Sequence, residues 1–388
     1  MTRPIAQDTH YNGYRFRSRT EARWAVCFDA FGLFWSYEPQ GYSTPYGRYL
    51  PDFYVHDPLD GQGVWVEVKG TDPSPEEHDK LAWLCKHTKR AGMLVSGRPE
   101  PGSGTPWRGF TPEGAVYAPK EWDVAWAWEF FPPETGWSMR NEVPPEGDEL
   151  DAAWLSAVKT AQGTDFSEPW YSMFSELVYR DFTTKFWVLD SVPRTEQTLL
   201  THYSDTRFLT RRHARWAVAF DAVGAAWSYI PDSGVSGGVN AAHFHVRAGD
   251  TSFWLRVFDL PPHAASDEML ALYHLCQTMG AAGGAVWGDP ASPYTLTTSA
   301  RWMSATSEGR NSGHVASHES MPWIKTSLDK GFYKSLSVHD VTRYWADAAN
   351  AARSARFEHG EQPLLPAWSC VFDVPHPDFL GNVRISGG

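Results

Sequence analysis

The fold is decided by Arg15–Pro39, RFRSRTEARWAVCFDAFGLFWSYEP, because nearly the same text returns at Arg207–Pro231 as RFLTRRHARWAVAFDAVGAAWSYIP. Without a gap, 16 of the 25 positions are identical. An internal repeat of this strength indicates two copies of one structural unit rather than a single large domain.

Weaker matches continue downstream at an offset that stays between 189 and 192 residues. Leu84-Cys85 falls against Leu275-Cys276, and Trp154 falls against Trp345. We therefore predict a first domain over 10–170, a connecting segment over 171–202, a second domain over 203–360 and a Pro- and Gly-rich tail over 361–388.

Within the first copy, hydrophobic spacing and capping residues predict the order helix, three strands, helix, strand. Ser18 is a good N-cap with Glu21 at the capping-box position, and Ser74 with Glu77 repeats that pattern. The expected elements are a helix from Ser18 to Gly32, strands over Trp35–Glu38, Tyr49–Val55 and Val64–Lys69, a helix over Pro75–Arg90 and a strand over Ala91–Ser96. This order predicts two tandem α/β domains, each a layered core around a mixed sheet.

Composition limits the classes of protein to consider. A net charge of −12 argues against a protein that coats nucleic acid non-specifically, but it still admits an enzyme with one local basic patch. Mean hydropathy is −0.43 and no apolar run is long enough to cross a membrane, so no membrane partner is expected. The four cysteines form no CxxC pair, and the N-terminus shows no signal-peptide pattern. We expect a cytoplasmic protein.

Three acidic residues and a lysine form the candidate site: Glu21, Asp52, Glu67 and Lys69. Alternation along the third strand points Glu67 and Lys69 to one face, and we expect Asp52 and Glu21 to reach the same point. Converging carboxylates repel one another unless they are protonated or hold a cation, and their oxygens suit Mg²⁺ or Mn²⁺. Such a metal would activate water, and the lysine would position that water or neutralise developing charge.

Taken singly, each of these residues also has a purely structural interpretation. Glu21 fits a helix cap and Asp52 fits a turn. Glu67 and Lys69 fit a pair of mutually neutralising residues on a solvated strand face. The functional interpretation depends on all of them occurring in order on helix, strand and strand.

Pro51-Asp52, a hairpin turn and Glu67-Val68-Lys69 together resemble the motif of the PD-(D/E)XK nuclease superfamily, and Glu21 matches that family's helical acidic residue. The amino-acid sequence around these residues is similar to that of small nuclease-like proteins of phages and mobile elements. The resemblance covers about residues 11–98, and in the second copy only the scaffold. It implies a restriction-endonuclease-like fold, with Asp52, Glu67 and the Val68 carbonyl as metal ligands. Lys69 would assist the water, and Glu21 would bind the metal directly or through water.

Basic side chains are locally abundant around these residues, although the chain is acidic overall. We predict that they contact nucleic-acid phosphates. A solvated helix face with pairs such as Glu76 and Lys80 is the alternative. The candidate nucleic-acid contacts are Arg15, Arg17, Arg19, Arg23, Lys86, Lys89 and Arg90.

The second copy keeps the packing residues and loses the acidic ones. The substituted positions are His213 for Glu21, His243 for Asp52, Arg256 for Glu67 and Phe258 for Lys69. An arginine and a phenylalanine do not bind Mg²⁺, so we expect an inactive copy that replaces a dimer partner or binds a protein. His243 and His245 suggest a metal pair, but no third ligand stands at motif spacing.

Our leading hypothesis is a Mg²⁺- or Mn²⁺-dependent endonuclease, acting on DNA, that makes one nick per encounter. One alternative is a nuclease-derived structural or interaction protein of a phage, such as an assembly or anti-defence factor, in which the first site is vestigial. Another is a hydrolase of the same fold that acts on RNA or nucleotides. Binding of a divalent metal separates the enzymatic from the structural hypothesis.

Overall fold

The computed structural model of the chain describes residues 8–31, 33–56, 63–100, 107–117, 147–166, 192–231, 241–248, 251–259, 266–290, 304–306, 309–311, 338–358 and 363–365. Most of the expected connecting segment and of the expected tail lies outside the described residues, as does Gly32, the expected end of the first helix. Within these ranges the chain is a mixed α/β structure.

A short hairpin and a helix open the first repeat. Strands β1 (Thr9–Tyr11) and β2 (Tyr14–Phe16) pair in antiparallel fashion through Asn12-Gly13, whose φ angles of 51° and 78° fit a two-residue turn. Helix α1 (Arg19–Phe31) follows. Ser18 Oγ accepts a hydrogen bond from the Glu21 amide at 3.1 Å, which confirms the expected N-cap.

The first repeat is built on a mixed six-stranded sheet. The chain supplies β3 (Phe34–Tyr37), the separate hairpin strands β4 (Tyr42–Thr44) and β5 (Gly47–Tyr49), then β6 (Phe53–His56), β7 (Gly63–Lys69), β8 (Gly92–Ser96), β9 (Trp107–Phe110) and β10 (Val116–Tyr117). In space the order is β10-β9-β8-β7-β6-β3. Only β7 and β8 run parallel, and the helix between them makes the crossover.

Helices cover both faces of this sheet: α1, α2 (Pro75–Thr88) and α3 (Gly147–Gly163). Val66 of β7 is buried in one cluster with Trp24 of α1, whereas its neighbour Trp65 is buried in another with Leu81 of α2. Alternation along β7 therefore places α1 and α2 on opposite faces of the sheet. α3 packs beside α1.

The second repeat contains the hairpin strands β11 (Thr201–Tyr203) and β12 (Thr206–Phe208), helix α4 (Arg211–Ala222), strands β13 (Ala226–Tyr229), β14 (Phe244–Ala248) and β15 (Thr251–Phe258), helix α5 (Asp267–Met279), strand β16 (Ala282–Trp287), the small hairpin β17 (Ser304–Thr306) and β18 (Gly309–Asn311), and helix α6 (Val338–Arg353). The sheet order β13-β14-β15-β16, with only the last pair parallel, reproduces β3-β6-β7-β8. The two repeats thus share one core topology.

Matching polar contacts support the same equivalence. Trp24 Nε1 donates to the Gly97 carbonyl at 3.0 Å, and Trp216 Nε1 donates to the Gly288 carbonyl at 3.0 Å. Each contact ties the first long helix of a repeat to the loop after its parallel strand pair. The repeated sequence therefore encodes polar anchors as well as apolar packing.

The two repeats contact each other through buried arginines at the start of α4. Arg211 forms an ion pair with Glu38 at 3.0 Å. Arg212 Nη2 donates to Ser36 Oγ at 3.0 Å, and Arg215 Nη1 donates to a main-chain carbonyl of β3 at 3.0 Å. Because buried charges are tolerated only when they are paired, these contacts fix α4 against the first repeat.

Two further groups complete this interface. Asp289 of the second repeat accepts from the Tyr14 hydroxyl at 2.8 Å and from Arg215 at 2.6 Å. Arg353 at the end of α6 donates to the Asn12 carbonyl at 2.8 Å and lies over the Tyr14 ring, with its guanidinium carbon 4.9 Å from the ring centroid. The hairpin of the first repeat is therefore held by a residue that follows β16 and by a residue at the end of α6.

Several expected boundaries were wrong for identifiable reasons. The expected strand Tyr49–Val55 is interrupted, because Pro51 has no amide proton and the amide of Asp52 donates to a carboxylate instead of a neighbouring strand. Helix α2 ends at Thr88 rather than Arg90, because Lys89 adopts a left-handed conformation with φ of 55°. Strands β9 and β10 lie in a region where the sequence showed no motif.

Candidate active site

Asp52 lies just before β6, where main-chain contacts fix its position. Its Oδ2 accepts from the Val68 amide at 2.8 Å, and its own amide donates to Glu67 Oε2 at 3.4 Å. Its carbonyl accepts from the Glu38 amide at 2.7 Å. The structure thus brings Asp52 and Glu67 together at the end of β7, on adjacent strands.

Glu67 and Lys69 lie on the face of β7 that α2 covers. Lys69 Nζ is 2.5 Å from Glu67 Oε1 and 3.4 Å from Glu77 of α2. The Tyr49 hydroxyl donates to Glu67 Oε2 at 2.8 Å. Ser74 and Glu77 form the expected capping box at the start of α2, so a well-defined helix start positions the second partner of Lys69.

Glu21 is held by three donors at the start of α1. The Tyr37 hydroxyl donates to Oε2 at 2.6 Å, the Arg17 amide donates to the same oxygen at 3.2 Å, and Ser18 Oγ donates to Oε1 at 2.8 Å. Because α1 packs on the face of β7 opposite to Glu67, the carboxylate of Glu21 contacts these groups rather than Glu67. The expected meeting of all three carboxylates at one point is therefore incomplete.

Negative charge accumulates around Asp52. Burial raises the pKa of its carboxyl group well above the usual range, and the carboxylates of Glu67 and Glu21 raise it further. Burial likewise raises the pKa of Glu21, against the hydrogen bonds that it accepts. For Lys69, burial lowers the pKa, but Glu67 and Asp52 outweigh burial and hold the pKa above its usual value. One lysine does not balance these acids, so either a proton on a carboxyl group or a bound cation would relieve their repulsion.

The carboxylate oxygens of Asp52 and Glu67 are ligands of the kind that a divalent cation prefers. Their arrangement fits such a cation only in part. Oδ2 of Asp52 is held by Val68, whereas Oδ1 accepts no hydrogen bond from any described residue. Within the described part of the chain, no group of three or more His, Cys, Asp or Glu side chains is placed to hold a metal ion. A cation would therefore depend on Asp52, Glu67 and a main-chain oxygen, for which the Val68 carbonyl stays a prediction. Glu21 as a direct ligand also stays a prediction.

Arginines gather at the Lys69 end of β7. Burial lowers the pKa of Arg23, and repulsion from Arg19 and Arg98 lowers it further, so the three guanidinium groups are close enough to interact. Arg98 pairs with Glu100, and the amide just before Arg98 donates to the Lys69 carbonyl at 2.7 Å. Arg98, which follows the residue that bonds the Lys69 carbonyl, is an arginine near the end of β7 that the sequence analysis missed.

Two other predicted phosphate contacts have partners within the protein. Arg17 forms ion pairs with Glu38 and, at 3.2 Å, with Glu358 of the second repeat. Arg15 pairs with Asp8 at 3.7 Å. Arg17 therefore belongs to the contact between the repeats, and its predicted role with phosphate has no support from this geometry.

Lys86, Lys89 and Arg90 lie at the far end of α2. The carbonyl of Ala91 accepts from the Trp65 amide at 3.0 Å, which places this end beside the start of β7. Trp65 is four residues from Lys69, about 13 Å along a strand. Contact of these three residues with nucleic acid stays a prediction.

The second repeat places its substituted residues as the alignment predicts. The Tyr229 hydroxyl lies 3.1 Å from His213 Nδ1, as the Tyr37 hydroxyl lies near Glu21. The Val257 amide lies 3.1 Å from His243 Nδ1, as the Val68 amide lies near Asp52. Strand pairing gives the remaining equivalences, because Phe53 pairs with Val66 in the first sheet and Phe244 pairs with Leu255 in the second. Counting onward from Val66 and Leu255, Arg256 takes the position of Glu67 and Phe258 that of Lys69.

The suggested metal pair of His243 and His245 is not formed. His243 contacts His213, with 3.1 Å between His243 Nδ1 and His213 Nε2. His245 stacks on Trp254 with 4.4 Å between ring centroids. The two imidazoles therefore serve different contacts.

Comparison of the chain with protein-family models, with curated proteins and with solved structures found no match. The resemblance to PD-(D/E)XK nucleases therefore stays a prediction from the motif and its placement. Among the helices that the structure describes, none has the length and apolar character needed to span a membrane.

Two tyrosines that support the site were missed in the sequence. Tyr37 belongs to the repeated Trp-Ser-Tyr text, and its partner is acidic Glu21 in the first copy and His213 in the second. Tyr49 stands near Pro51-Asp52 but is absent from the repeated text. Repetition marked Tyr37 as a structural residue, and Tyr49 opened the expected strand that contains Pro51-Asp52, but neither tyrosine was predicted to contact a carboxylate.

Proposed function

We propose that the first repeat is a metal-dependent endonuclease that hydrolyses phosphodiester bonds of DNA, and that the second repeat is catalytically inactive. The observation that carries the proposal is the grouping of Asp52, Glu67 and Lys69. Their carboxylates and ammonium group meet at the end of β7, held by the Val68 amide and the Tyr49 hydroxyl. The reaction class comes from the motif that these residues form.

Asp52 and Glu67 would hold Mg²⁺ or Mn²⁺, together with a main-chain oxygen. Such a cation, when bound, lowers the pKa of coordinated water and neutralises charge on the phosphoryl oxygen. Lys69, kept protonated by its acidic neighbours, would stabilise the negative charge that develops on the attacked phosphate. Glu21 would act as a positioning residue that fixes the start of α1.

Arg19, Arg23 and Arg98 would bind the phosphates that flank the attacked bond. Because the whole chain carries a net charge of −12, affinity for DNA would depend on this patch and would fall steeply as salt rises. The second repeat has His213, His243 and other non-acidic groups at the matching positions. One chain would therefore nick one strand per encounter.

Cleavage of supercoiled plasmid and of single-stranded DNA and RNA with Mg²⁺ or Mn²⁺ tests the proposal. We expect metal-dependent nicking that Asp52→Asn and Lys69→Met abolish. The matched controls on α2 are Asp79→Asn, at an exposed acid, and Lys80→Met, at a lysine that pairs with Glu76, and both should cleave as the wild type does. Cleavage that persists in both site variants would contradict the assignment. Cleavage of RNA alone would transfer it to an RNA substrate.

A second candidate function is a nuclease-derived protein that acts by binding partners. It is favoured by one observation, namely that both carboxylate oxygens of Glu67 already accept hydrogen bonds from Lys69, Tyr49 and Asp52. A site satisfied by its own neighbours would hold no cation. On this hypothesis the wild type neither cleaves DNA nor binds Mn²⁺.

A further inference from the structure

The hairpin formed by β4 and β5 lies outside the main sheet of the first repeat. Each of its strands has three residues, and a two-stranded hairpin of this size is at best marginally stable alone in water. It nevertheless buries Tyr42 and Tyr49, which face each other across the two strands. Other parts of the chain must therefore hold this hairpin in place.

The hairpin supplies one hydroxyl group to the candidate site. Tyr49, the last residue of β5, donates to Glu67 Oε2 at 2.8 Å, while Lys69 donates to Oε1. Each carboxylate oxygen has two lone pairs, so Oε1 keeps acceptor capacity for a cation while these bonds orient the group. Loss of a hydrogen bond that orients a metal ligand typically costs about 10–100-fold in metal affinity. The position of Tyr49 therefore matters for binding at Glu67.

Residues 192–199, which lead into the second repeat, form main-chain hydrogen bonds along the start of this hairpin. The Ser43 amide donates to the Gln197 carbonyl at 2.8 Å, and the Leu199 amide donates to the Gly41 carbonyl at 2.8 Å. An antiparallel bridge to β4 accompanies these bonds. The strand β4 thus has a second pairing partner besides β5.

Two side chains reinforce this pairing. Gln40 Nε2 donates to the Leu199 carbonyl at 2.6 Å, and the Tyr42 hydroxyl donates to the Pro193 carbonyl at 2.5 Å. Neither side chain contacts Glu67 in the structure. Because both donors are side-chain atoms, substitution can remove them while the main-chain pairing and the site itself stay in place.

The same segment is tied to the second repeat. Val192 is buried in one apolar cluster with Tyr42 and Tyr49, and its amide donates to Asp259 at 3.0 Å. Asp259 follows β15 and forms an ion pair with Arg212 of α4. Contacts therefore run without a break from the second repeat, through residues 192–199, to the tyrosine that holds Glu67.

We propose that residues 192–199 position Tyr49 for its hydrogen bond to Glu67, so that the connection between the repeats sets the metal affinity of the candidate site. Tyr49 acts through Glu67, and residues 192–199 act through Tyr49, so all of them are positioning residues. The inference rests on the proposed function, because it requires that Glu67 binds a cation.

Calorimetric titration of the full chain with Mn²⁺, arranged as a double-mutant cycle, tests the proposal. We expect Tyr49→Phe to weaken binding about tenfold. Gln40→Met combined with Tyr42→Phe removes both side-chain bonds to residues 192–199 and should weaken binding by about threefold or more. Added to Tyr49→Phe, this pair should have no further effect, because the hydroxyl that it positions is gone.

The matched control is Tyr46→Phe at the tip of the same hairpin, where the side chain is exposed. It should bind Mn²⁺ as the wild type does. Thermal unfolding confirms that each variant is folded at the temperature of the titration. Gln40→Met alone replaces the pair if the pair does not fold.

The outcomes separate this inference from the proposed function. Absence of Mn²⁺ binding by the wild type overturns both. Binding that Asp52→Ala removes, but that the Tyr49 or the paired substitutions leave unchanged, supports the proposed function and overturns the inference. Equal weakening by the paired substitutions with and without the Tyr49 hydroxyl also overturns the inference, because residues 192–199 would then act by another route.

Discussion

Arg215 of the second repeat donates a hydrogen bond from Nη1 to the main-chain carbonyl of Tyr37 in the first repeat, over 3.0 Å. The hydroxyl of the same tyrosine holds Glu21 at 2.6 Å. A side chain of the second repeat therefore supports the strand that positions an acidic residue of the candidate site. This contact gives the second repeat a structural role in the first.

Arg215→Met should destabilise both repeats together. The substitution leaves Asp289 buried without its closest charge partner, and breaking a buried pair in this way costs about 3–5 kcal/mol. Urea unfolding followed by tryptophan fluorescence measures the effect. Arg207→Met, at an exposed arginine, should change stability by less than about 0.5 kcal/mol. A loss confined to one of two separate transitions would contradict the coupling.

Acid should weaken the interface through Asp289. Burial alone would raise its pKa, but Arg215 and Arg212 outweigh burial and lower it from 3.8 to about 2. A lowered pKa in the folded state stabilises the fold above the unfolded-state pKa, and that stability is lost as pH falls through the folded-state value. About 2 kcal/mol should therefore disappear between pH 4 and pH 2.

The measurement for this pH effect is the unfolding free energy of wild type and Asp289→Asn as pH falls from about 5 towards 2. The difference between the two proteins should shrink by about 2 kcal/mol, because the variant has no carboxyl group to protonate. A difference that stays constant over this range would show that Asp289 is not held in the ionised form by its arginines.

Asp52→Asn should make the metal-free protein more stable. The carboxylate of Asp52 is buried beside Glu67 and Glu21, and the amide keeps an oxygen for the Val68 amide. Removal of the repelled charge should raise the unfolding free energy by on the order of 1 kcal/mol in EDTA. Thermal unfolding in EDTA checks this. Asp79→Asn, at an exposed acid, is the control, and destabilisation by Asp52→Asn would contradict the electrostatic account.

Substitution of two N-cap residues should distinguish a loss of stability from a loss of nicking activity. Ser18→Ala and Ser74→Ala each remove an N-cap and should each cost about 1 kcal/mol. Ser18 also donates to Glu21 Oε1 at 2.8 Å, so Ser18→Ala should slow DNA nicking beyond its effect on stability, whereas Ser74→Ala reaches Lys69 only through Glu77 and should slow nicking less. Equal nicking by both variants at a temperature where both are folded would remove Glu21 from the working site.

The sequence predicted what depends on local pattern. The strong repeat predicted a shared core, and the same order of paired strands appears in both sheets. Alternation along β7 predicted that Glu67 and Lys69 share a face, and Lys69 Nζ lies 2.5 Å from Glu67 Oε1. The hairpin at Asn12-Gly13 was also predictable in principle, since that dipeptide favours a two-residue turn.

The rest depends on contacts between distant residues. The partners Arg215 and Tyr37 are 178 residues apart, and no periodicity within either repeat marks them as neighbours. Glu21 and Glu67 lie on opposite faces of the sheet because α1 covers one face and Glu67 points to the other. Alternation of residues along one strand does not predict which face a helix covers. We predicted phosphate contact for Arg17 because its positive charge is evident from the sequence. The sequence does not show that Arg17 forms an ion pair with Glu358, 341 residues further along the chain.

Calorimetric titration with Mn²⁺ tests the central claim most directly, because the first repeat should hold a cation and the second should not. We predict binding by the wild type and by His243→Ala, and loss of that binding in Asp52→Ala. No binding by the wild type, or binding unchanged by Asp52→Ala, would contradict the account and favour a protein that acts by binding partners.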